Sequence, residues 1–351
     1  MTLGYSKLVV GFLAIYVIFT VVQSLQRAIQ RRKFQRAHGC KPPPRLNSGF
    51  MGIKRYLEIR QKIEKRTAFK DAQNNFNQTG TTLSQVVLGA SIVSTIEPEN
   101  VKAVLSTKFA DFSLGLRHNS FFPLLGDGIF TLDGEGWSHS RAMLRPQFSR
   151  EQVADVAMLG EHVNSFIAHL PQDKTAAFDI QEMFFNLTLD TATEFLFGES
   201  VHSLAPGYLA TEGPLAACGG NKGFAYAFNK SQVYILERAN LTSFYWLVNP
   251  PEFRKLVKQV HSVVEYYVDR AVAAAKADPL STAEKSYSGK RYVFLEALAR
   301  ETQDKKALRD QMLNILLAGR DTTGSLLSSS FFYLARNPRV LLKLRQQILD
   351  Q

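Results

Sequence analysis

The sequence predicts a mostly α fold with a small β element near the N-terminus, preceded by one transmembrane helix. Three observations indicate this. Apolar residues recur at helical spacing in nearly every segment after residue 97, alternating β-branched residues occur in one short stretch, and nineteen uncharged residues lie near the start of the chain. With 351 residues and 45% hydrophobic content, the chain is long enough to bury a large core.

The uncharged stretch, residues 8–26, is about long enough to cross a bilayer core of roughly 30 Å as a helix. Residues 27–70 then carry 14 Lys and Arg against two glutamates, whereas the rest of the chain carries 28 against 29 acidic residues. This basic excess predicts a membrane anchor with everything downstream in the cytosol, and it favours anionic lipid headgroups over nucleic acid. A cleaved signal peptide or a buried helix is the alternative.

Three successive prolines in CKPPPR, residues 40–45, favour an extended spacer because proline cannot continue a helix. We therefore expect an anchor over residues 1–26, a basic and proline-rich linker over 27–48 and one globular domain over 49–351. That domain should begin with a helix over 52–72 and a hairpin over 81–98. Helices should follow, with breaks at Pro123, Pro171, APGY, CGGNKG and NPPE.

Several classes of protein are excluded. Cys40 and Cys218 are the only cysteines and lack C-x-x-C spacing, so neither a disulfide framework nor a zinc site is indicated. The chain contains no G-x-S-x-G elbow, H-E-x-x-H helix, P-loop or G-x-G-x-x-G motif. Its seven histidines show no metal-ligand spacing, so simple metal-dependent hydrolysis is not indicated either.

A second unusual stretch, AGRDTT at residues 318–323, interrupts a long apolar helical pattern. An interior glycine costs a helix about 1 kcal/mol relative to alanine, and threonine hydroxyls tend to bond to the carbonyl one turn earlier and bend the helix. These residue types favour a functional role at this point. The alternative is that Asp321 caps a new helix after a glycine break.

About 180 residues earlier, the glycine-rich segment 125–136 leads into a helix beginning near Trp137. Trp137 and Arg141 lie four residues apart and share one helical face. An indole N–H beside a guanidinium forms a donor pair suited to a carboxylate. The alternative is a cation–π contact with no ligand.

Taken together and in this order, the anchor, the proline hinge, W-x-x-x-R and A-G-x-D-T-T resemble the cytochrome P-450 family of haem-thiolate monooxygenases. The stretch NPRVLLKLRQQI resembles the next helix of that fold, and GDGIFTLDGEGWSHSRAMLRPQF is most similar to microsomal fungal enzymes that hydroxylate n-alkanes and fatty acids. The resemblance implies the N-terminal two-thirds of that fold at the endoplasmic reticulum membrane. It also implies haem b, dioxygen, an apolar substrate, and electrons from NADPH through a cytochrome reductase.

The resemblance also implies a role for each residue that matches a family motif. Trp137 and Arg141 would bind the haem propionates, and Ala318 and Gly319 would line a groove for dioxygen, where a residue without Cβ allows close approach. Thr322 would hydrogen-bond the bound dioxygen, and Asp321 would connect that hydroxyl to a proton supply. Thr323 and Gly324 are expected to support the helix bend, and Arg320 to point to another face.

The family's F-x-x-G-x-R-x-C-x-G loop, which supplies the cysteine ligand of the iron, has no match in the 351 residues, and neither has its E-x-x-R helix. No metal ligand is therefore predicted. The 351 residues are expected to be a fragment or a truncated gene model of a monooxygenase, or a product that cannot perform the reaction, and in this form to be inactive. The alternative is a membrane-tethered, non-catalytic lipid-binding protein.

Overall fold

A computed structural model describes residues 2–148, 156–173, 177–205, 213–277 and 292–350. Within these ranges the side chains of residues 2–10, 12–14, 17, 214, 221 and 222 are not described. The described chain divides into two compact units, Met1–Thr107 and Lys108–Gln351. Most of it is helical, and one two-stranded sheet is present, as the sequence predicts.

The first unit contains four helices, α1 (Thr2–His38), α2 (Ile53–Glu64), α3 (Ala68–Thr79) and α4 (Pro98–Lys102), and two strands, β1 (Thr82–Val87) and β2 (Ala90–Thr95). The strands pair antiparallel with Val87 opposite Ala90, and both residues of the turn, Leu88 and Gly89, have positive φ angles of 48° and 82°. This is the backbone that a two-residue hairpin turn requires. The predicted hairpin is therefore confirmed.

Two predictions for the first unit differ from the structure. The single helix expected over residues 52–72 is divided into α2 and α3, because Arg66 adopts a left-handed φ of 56°. The amide nitrogens of Arg66 and Thr67 donate to the carbonyls of Ile63 and Lys62, which ends α2 without a glycine or proline. The predicted linker over 27–48 is helical up to His38 and becomes extended only in the proline segment after it.

The anchor predicted over residues 8–26 falls within α1. Several of its side chains, those of residues 8–10, 12–14 and 17, lie outside the described part of the chain. Where side chains are described, no helix is long and apolar enough to cross a membrane, so the structure does not support the predicted transmembrane helix.

The described residues of the second unit form helices and connecting loops, and they include no β-strand. We number its helices α5 (Arg117–Leu125), α6 (Gly134–Leu144), α7 (Val156–Ala168), α8 (Ile180–Phe197), α9 (Gly213–Ala217), α10 (Gly220–Asn240), α11 (Pro251–Ala277), α12 (Phe294–Glu301), α13 (Lys305–Arg336) and α14 (Pro338–Leu349). Short 3₁₀ turns lie at residues 109–111, 145–148 and 242–247. The predicted break at Pro171 falls between α7 and α8, those at CGGNKG and NPPE coincide with the starts of α10 and α11, and most of APGY lies outside the described residues.

The prediction of a helix break at Pro123 is wrong, since Pro123 lies inside α5. Proline has no N–H, so the Asn119 carbonyl one turn earlier loses its usual donor. The Arg238 guanidinium supplies a replacement, with Nη2 3.0 Å from the Asn119 carbonyl oxygen and Nε 2.9 Å from that of Ser120. A tertiary hydrogen bond thus allows the helix to continue through proline.

The core of this unit is a large apolar cluster formed by α8, α10, α11, α12 and the first half of α13, with α5 and α6 at its edge, and a smaller cluster between α7 and α8. Its largest fully buried side chains are aromatic, including Phe224, Phe228, Phe253 and Phe294. Helix α13 packs most extensively against α8. This packing fixes one face of the 32-residue α13 and determines which of its residues remain available to a ligand.

Candidate functional site

Helix α13 presents residues 318–324 on two faces of opposite character. Arg320 and Gly324 are buried, whereas Gly319, Thr322 and Thr323 are exposed. A Cβ added at Gly324 would lie 2.7 Å from Cδ1 of Phe185 in α8, so only glycine fits at this crossing. The close contact between the two helices therefore leaves Thr322 and Thr323 exposed, whereas Gly319, although exposed, borders Ala192 of α8.

Thr322 donates its hydroxyl to the Ala318 carbonyl at 2.6 Å. This is the bond to the preceding turn that an interior threonine commonly forms. Thr322 and Ala318 both belong to the stretch for which a dioxygen groove is predicted. Helix α13 is α-helical through this stretch, from Lys305 to Arg336. The hydroxyl oxygen keeps its acceptor capacity toward the exposed face.

Arg320 points away from Thr322, as expected from the two steps of about 100° that separate them along the helix. It is 2% exposed, and its guanidinium carbon lies 5.1 Å from the Phe185 ring centroid and 5.8 Å from that of Phe228. Its Nη1 lies 3.0 Å from Oδ1 of Asp321. The sequence did not reveal this pairing, which makes Asp321 the counterion of a buried cation.

The electrostatics of this pair reflect its burial. Burial raises the pKa of Asp321, and the Arg320 guanidinium opposes that shift. Burial likewise lowers the pKa of Arg320, with Asp321 opposing. A carboxyl group whose pKa is raised is better suited to holding and passing on a proton near neutral pH than a fully solvated aspartate.

Trp137 and Arg141 lie on α6, which begins at Gly134, three residues earlier than predicted. The Arg141 guanidinium carbon stacks 5.5 Å from the Trp137 ring centroid, and the Phe109 ring packs 5.0 Å from the same indole. The cation–π contact is therefore present. Because Arg141 is exposed and forms no ion pair within the described residues, its guanidinium is also free to bind an anionic group.

Three buried polar residues on the first half of α13 were not predicted from the sequence. Asp310, Gln311 and Asn314, which we call the polar cluster, are at most 2% exposed. They bond to the segment that leads into α6. Their signal in the sequence is the pair of glycines at 126 and 128, where an added Cβ would lie 2.1 Å from the Asp310 carboxyl carbon and 2.2 Å from the Asn314 amide nitrogen.

The polar cluster is also linked to a charged group at the surface. Lys306 bridges Asp310 and Asp127, with Nζ–O distances of 2.9 and 2.6 Å, and His118 contacts the other Asp127 oxygen at 2.9 Å. Burial opposes the ionisation of Asp127, but the hydrogen bonds from Lys306 and His118 hold the pKa of Asp127 below its usual value. Asp127, in the segment that leads into α6, is thus held both by Lys306 of α13 and by His118 of α5.

Neither cysteine has the environment of a thiolate ligand. Cys40 is exposed, and Cys218 is buried with its thiol 3.5 Å from the Gln259 carbonyl. Burial raises the pKa of Cys218, which favours the protonated thiol over the thiolate that binds metals. Across the described ranges, no group of His, Cys, Asp or Glu residues is arranged to bind a metal ion.

The family model Cytochrome P450 matches residues 44–350, which include both α6 and α13. The chain belongs to the cytochrome P450 family. It is 48% identical over 315 residues to Cytochrome P450 52A12 of Debaryomyces hansenii, an alignment that covers 89% of this chain and 60% of that protein. It is 44% identical over 351 residues to Cytochrome P450 52A9 of Candida maltosa, covering 98% of this chain and 66% of that protein.

The chain spans about 60% of the length of the first of these cytochrome P450 relatives. Membership of the family confirms the resemblance inferred from W-x-x-x-R and A-G-x-D-T-T. The roles predicted for Trp137, Arg141 and residues 318–322 stay predictions. Among the described residues, no hydrogen bond or ring contact joins the Trp137–Arg141 pair directly to residues 318–322, and the link between the two groups runs through the polar cluster.

Proposed function

We propose that this cytochrome P450 chain is part of a haem-dependent monooxygenase that hydroxylates long-chain apolar substrates, n-alkanes or fatty acids. Dioxygen and electrons from NADPH, delivered by a cytochrome reductase partner, complete the reaction. The observation that carries the proposal is the exposed face of α13, on which Gly319 and the Thr322 hydroxyl lie together beside a buried Asp321–Arg320 pair.

The side chains present fit a haem at one edge and one face. Arg141 is a cation without an acidic partner in the described residues, so it can bind a propionate while Trp137 supports its guanidinium. The exposed Gly319 leaves the α13 backbone open to a flat cofactor. When bound, haem supplies the redox chemistry that activates dioxygen. The cysteine ligand of the family is provided by neither Cys40 nor Cys218.

The proton-handling residues have a defined order along α13. Asp321 has Oδ1 engaged by Arg320, which leaves Oδ2 to hold or release a proton. The Thr322 hydroxyl donates to the Ala318 carbonyl at rest, and it must rotate outward to donate to a ligand on the exposed face. Asp321 would then renew the proton through water, as general acid catalysis requires.

The substrate class rests on the similarity of residues 126–148 to alkane and fatty-acid hydroxylases, and two apolar segments give it physical support. Residues 119–130 and 234–248 lie side by side because Arg238 donates from the second segment to the Asn119 and Ser120 carbonyls of the first. Exposed aromatic and aliphatic side chains line both, among them Phe122, Phe244 and Trp246. Such a surface suits an apolar ligand.

We further propose that residues 1–26 hold the protein at the endoplasmic reticulum membrane as a single-pass anchor, with 27–48 as linker and 49–351 as part of the cytosolic catalytic domain. The uncharged stretch 8–26 and the basic residues after it support this arrangement.

The decisive experiment compares Thr322→Ala with Thr323→Ala in a haem-loaded enzyme that also contains the cysteine-ligand segment of the family, since neither Cys40 nor Cys218 supplies that ligand. The enzyme is supplied with dodecane or lauric acid, NADPH and a cytochrome reductase. Thr322→Ala should reduce coupled hydroxylation roughly tenfold to a hundredfold, equivalent to about 1.4 to 2.8 kcal/mol of barrier, and divert electrons to hydrogen peroxide. Thr323→Ala, the matched control at the adjacent exposed position, points about 100° away from Thr322 and should remain coupled. Lipid binding without NADPH consumption in the wild type would instead identify a non-catalytic binding protein.

A further inference from the structure

We propose that the polar cluster of α13 fixes the position of α6 relative to residues 318–322. Asp310, Gln311 and Asn314 are then positioning residues that set the spacing between the two halves of the site. The inference rests on the proposed function only for its consequence, haem binding. The positioning itself is a property of the apo-chain.

Each member of the cluster holds a different point of the segment before and within α6. Asp310 accepts a hydrogen bond from the Asp127 amide at 2.9 Å through Oδ2. Asn314 accepts from the Phe130 amide at 3.0 Å and donates to the Leu125 carbonyl at 2.9 Å. Gln311 donates to Oγ of Ser140 at 2.8 Å, inside α6 itself. The contacts thus extend from the end of α5 to the middle of α6.

Hydrogen bonds of this kind define a position more sharply than the hydrophobic effect alone. Burial of apolar surface is non-directional, whereas each hydrogen bond requires a particular distance and angle between two atoms. A buried amide or carboxylate that loses its hydrogen-bond partner is left desolvated and unpaired, which disfavours any placement that breaks the bond. Several such bonds from one helix therefore allow essentially one placement of the loop and of α6.

The loop is shaped to receive the cluster. Gly126 and Gly128 place their backbones against Asp310 and Asn314, where any Cβ would overlap those side chains. Thr131 closes the loop internally, because its hydroxyl donates to the Gly126 carbonyl at 2.7 Å and accepts from the Gly128 amide at 2.9 Å. The segment is therefore rigid between its two points of attachment.

The consequence for the site follows from the helix that the two regions share. Ser140, held by Gln311, directly precedes Arg141, the predicted propionate ligand. Asn314 lies eight residues before Thr322 on one continuous helix, a rise of about 12 Å. A displacement of α6 on the cluster changes the separation of Arg141 and Thr322, and a rigid cofactor that contacts both cannot follow it.

The test measures this separation in the full 351-residue chain. Spin labels at exposed positions on α6 and α13, introduced as Ser138→Cys and Ser325→Cys in a Cys40→Ser, Cys218→Ala background, report the distance by pulsed electron paramagnetic resonance. The parent should give one narrow distribution. Asn314→Ala should broaden or shift it.

Two further variants separate positioning from general destabilisation. Gly128→Ala should broaden the distribution to the same degree, and combining it with Asn314→Ala should add nothing, since the added methyl then has room. Phe253→Leu weakens the apolar core at α11, where the ring contacts Tyr234 and Arg238 of α10 rather than the cluster or a labelled position, so its distribution should stay narrow. An unchanged distance in Asn314→Ala, or equal broadening in Phe253→Leu, would overturn the inference.

Hemin binding tests the consequence in the same proteins. The chain has two tryptophans, so a Trp246→Phe background leaves Trp137 as the only indole whose fluorescence bound hemin would quench. We expect Asn314→Ala to bind hemin about tenfold more weakly than its parent. Equal affinity would show that the spacing does not matter for the cofactor. A parent that binds no hemin, with the distances changing as expected, would count against the proposed function and leave the positioning intact.

Discussion

Gly319→Ala and Gly324→Ala make the same change five residues apart on α13, and the structure predicts opposite effects on stability. At Gly319 an added Cβ would meet only the Ala192 Cβ, at 3.7 Å, an ordinary van der Waals contact. At Gly324 it would lie 2.7 Å from Phe185 Cδ1 and 3.3 Å from Thr188 Oγ1. The first position has room for a methyl group, and the second has none.

The magnitudes follow from helix propensity and packing. Replacing an interior helical glycine by alanine gains up to about 1 kcal/mol, so Gly319→Ala should raise the unfolding free energy by that amount. Overpacking a core contact costs about 1 to 3 kcal/mol. After the same gain in helix propensity is subtracted from this cost, Gly324→Ala should lower the unfolding free energy by about 1 kcal/mol. The variants should therefore differ by about 2 kcal/mol, or about 4 °C in melting temperature.

Thermal unfolding followed by circular dichroism at 222 nm, with both variants measured beside the parent chain, checks this difference. Ser329→Ala, an exposed change on the same helix, provides the baseline for a neutral substitution. If Gly324→Ala melts at or above the temperature of Gly319→Ala, the contact between α13 and α8 is not as described, and the outward orientation of Thr322 loses its structural cause.

Three further outcomes are expected. Asp321→Asn should lower the unfolding free energy in urea by about 2 kcal/mol, between the values for buried and surface ion pairs, because Arg320 stays buried without a counterion. Burial lowers the pKa of His261, opposed by its bond to the Leu124 carbonyl, so the folded chain keeps this imidazole neutral. The contribution of the neutral His261 to the free energy of unfolding is present above about pH 6.5, and it is lost as the pH falls because the unfolded chain binds the proton more readily. His261→Gln should therefore reduce the dependence of the melting temperature on pH below about pH 6.5. Alkaline carbonate extraction should leave the protein in the membrane pellet and release a variant without residues 1–26. Recovery of the intact protein in the supernatant would show that the predicted membrane anchor is wrong.

Much of the fold could be predicted because its signals are local. The alternation before Gly89 gave the hairpin, and apolar spacing of three to four residues gave the long α13. The errors occurred where a distant residue overrides local chemistry. Pro123 remains helical because Arg238 supplies the missing donor, and nothing in the nine residues of α5 indicates this.

The site shows the same limit. Motif spacing predicted roles for Trp137, Arg141 and residues 318–322, which stay predictions, and helical geometry placed Arg320 on another face, where it is buried. Motif spacing could not show that Asp321 neutralises Arg320, because adjacent helical residues diverge and their pairing depends on which one is buried. The polar cluster was not predicted because Asp310 and Asn314 interrupt the apolar pattern of a buried helix. Only the structure shows that Gly126 and Gly128 lie against these two side chains and make room for them.

The bond between Arg238 and the Asn119 carbonyl has a consequence for how this sequence can change over evolutionary time. A mutation of Pro123 to alanine would restore the N–H of residue 123, and the carbonyl of Asn119 would then have a donor within its own helix. Arg238 would keep its bonds to the Ser120 and Val248 carbonyls. If Arg238 were then replaced, these two carbonyls would lose a donor, but the Asn119 carbonyl would not. The two positions are therefore epistatic: substitution of Arg238 is more tolerable after Pro123 has been lost than before, and an arginine at this position should accompany the proline more often than chance in related sequences.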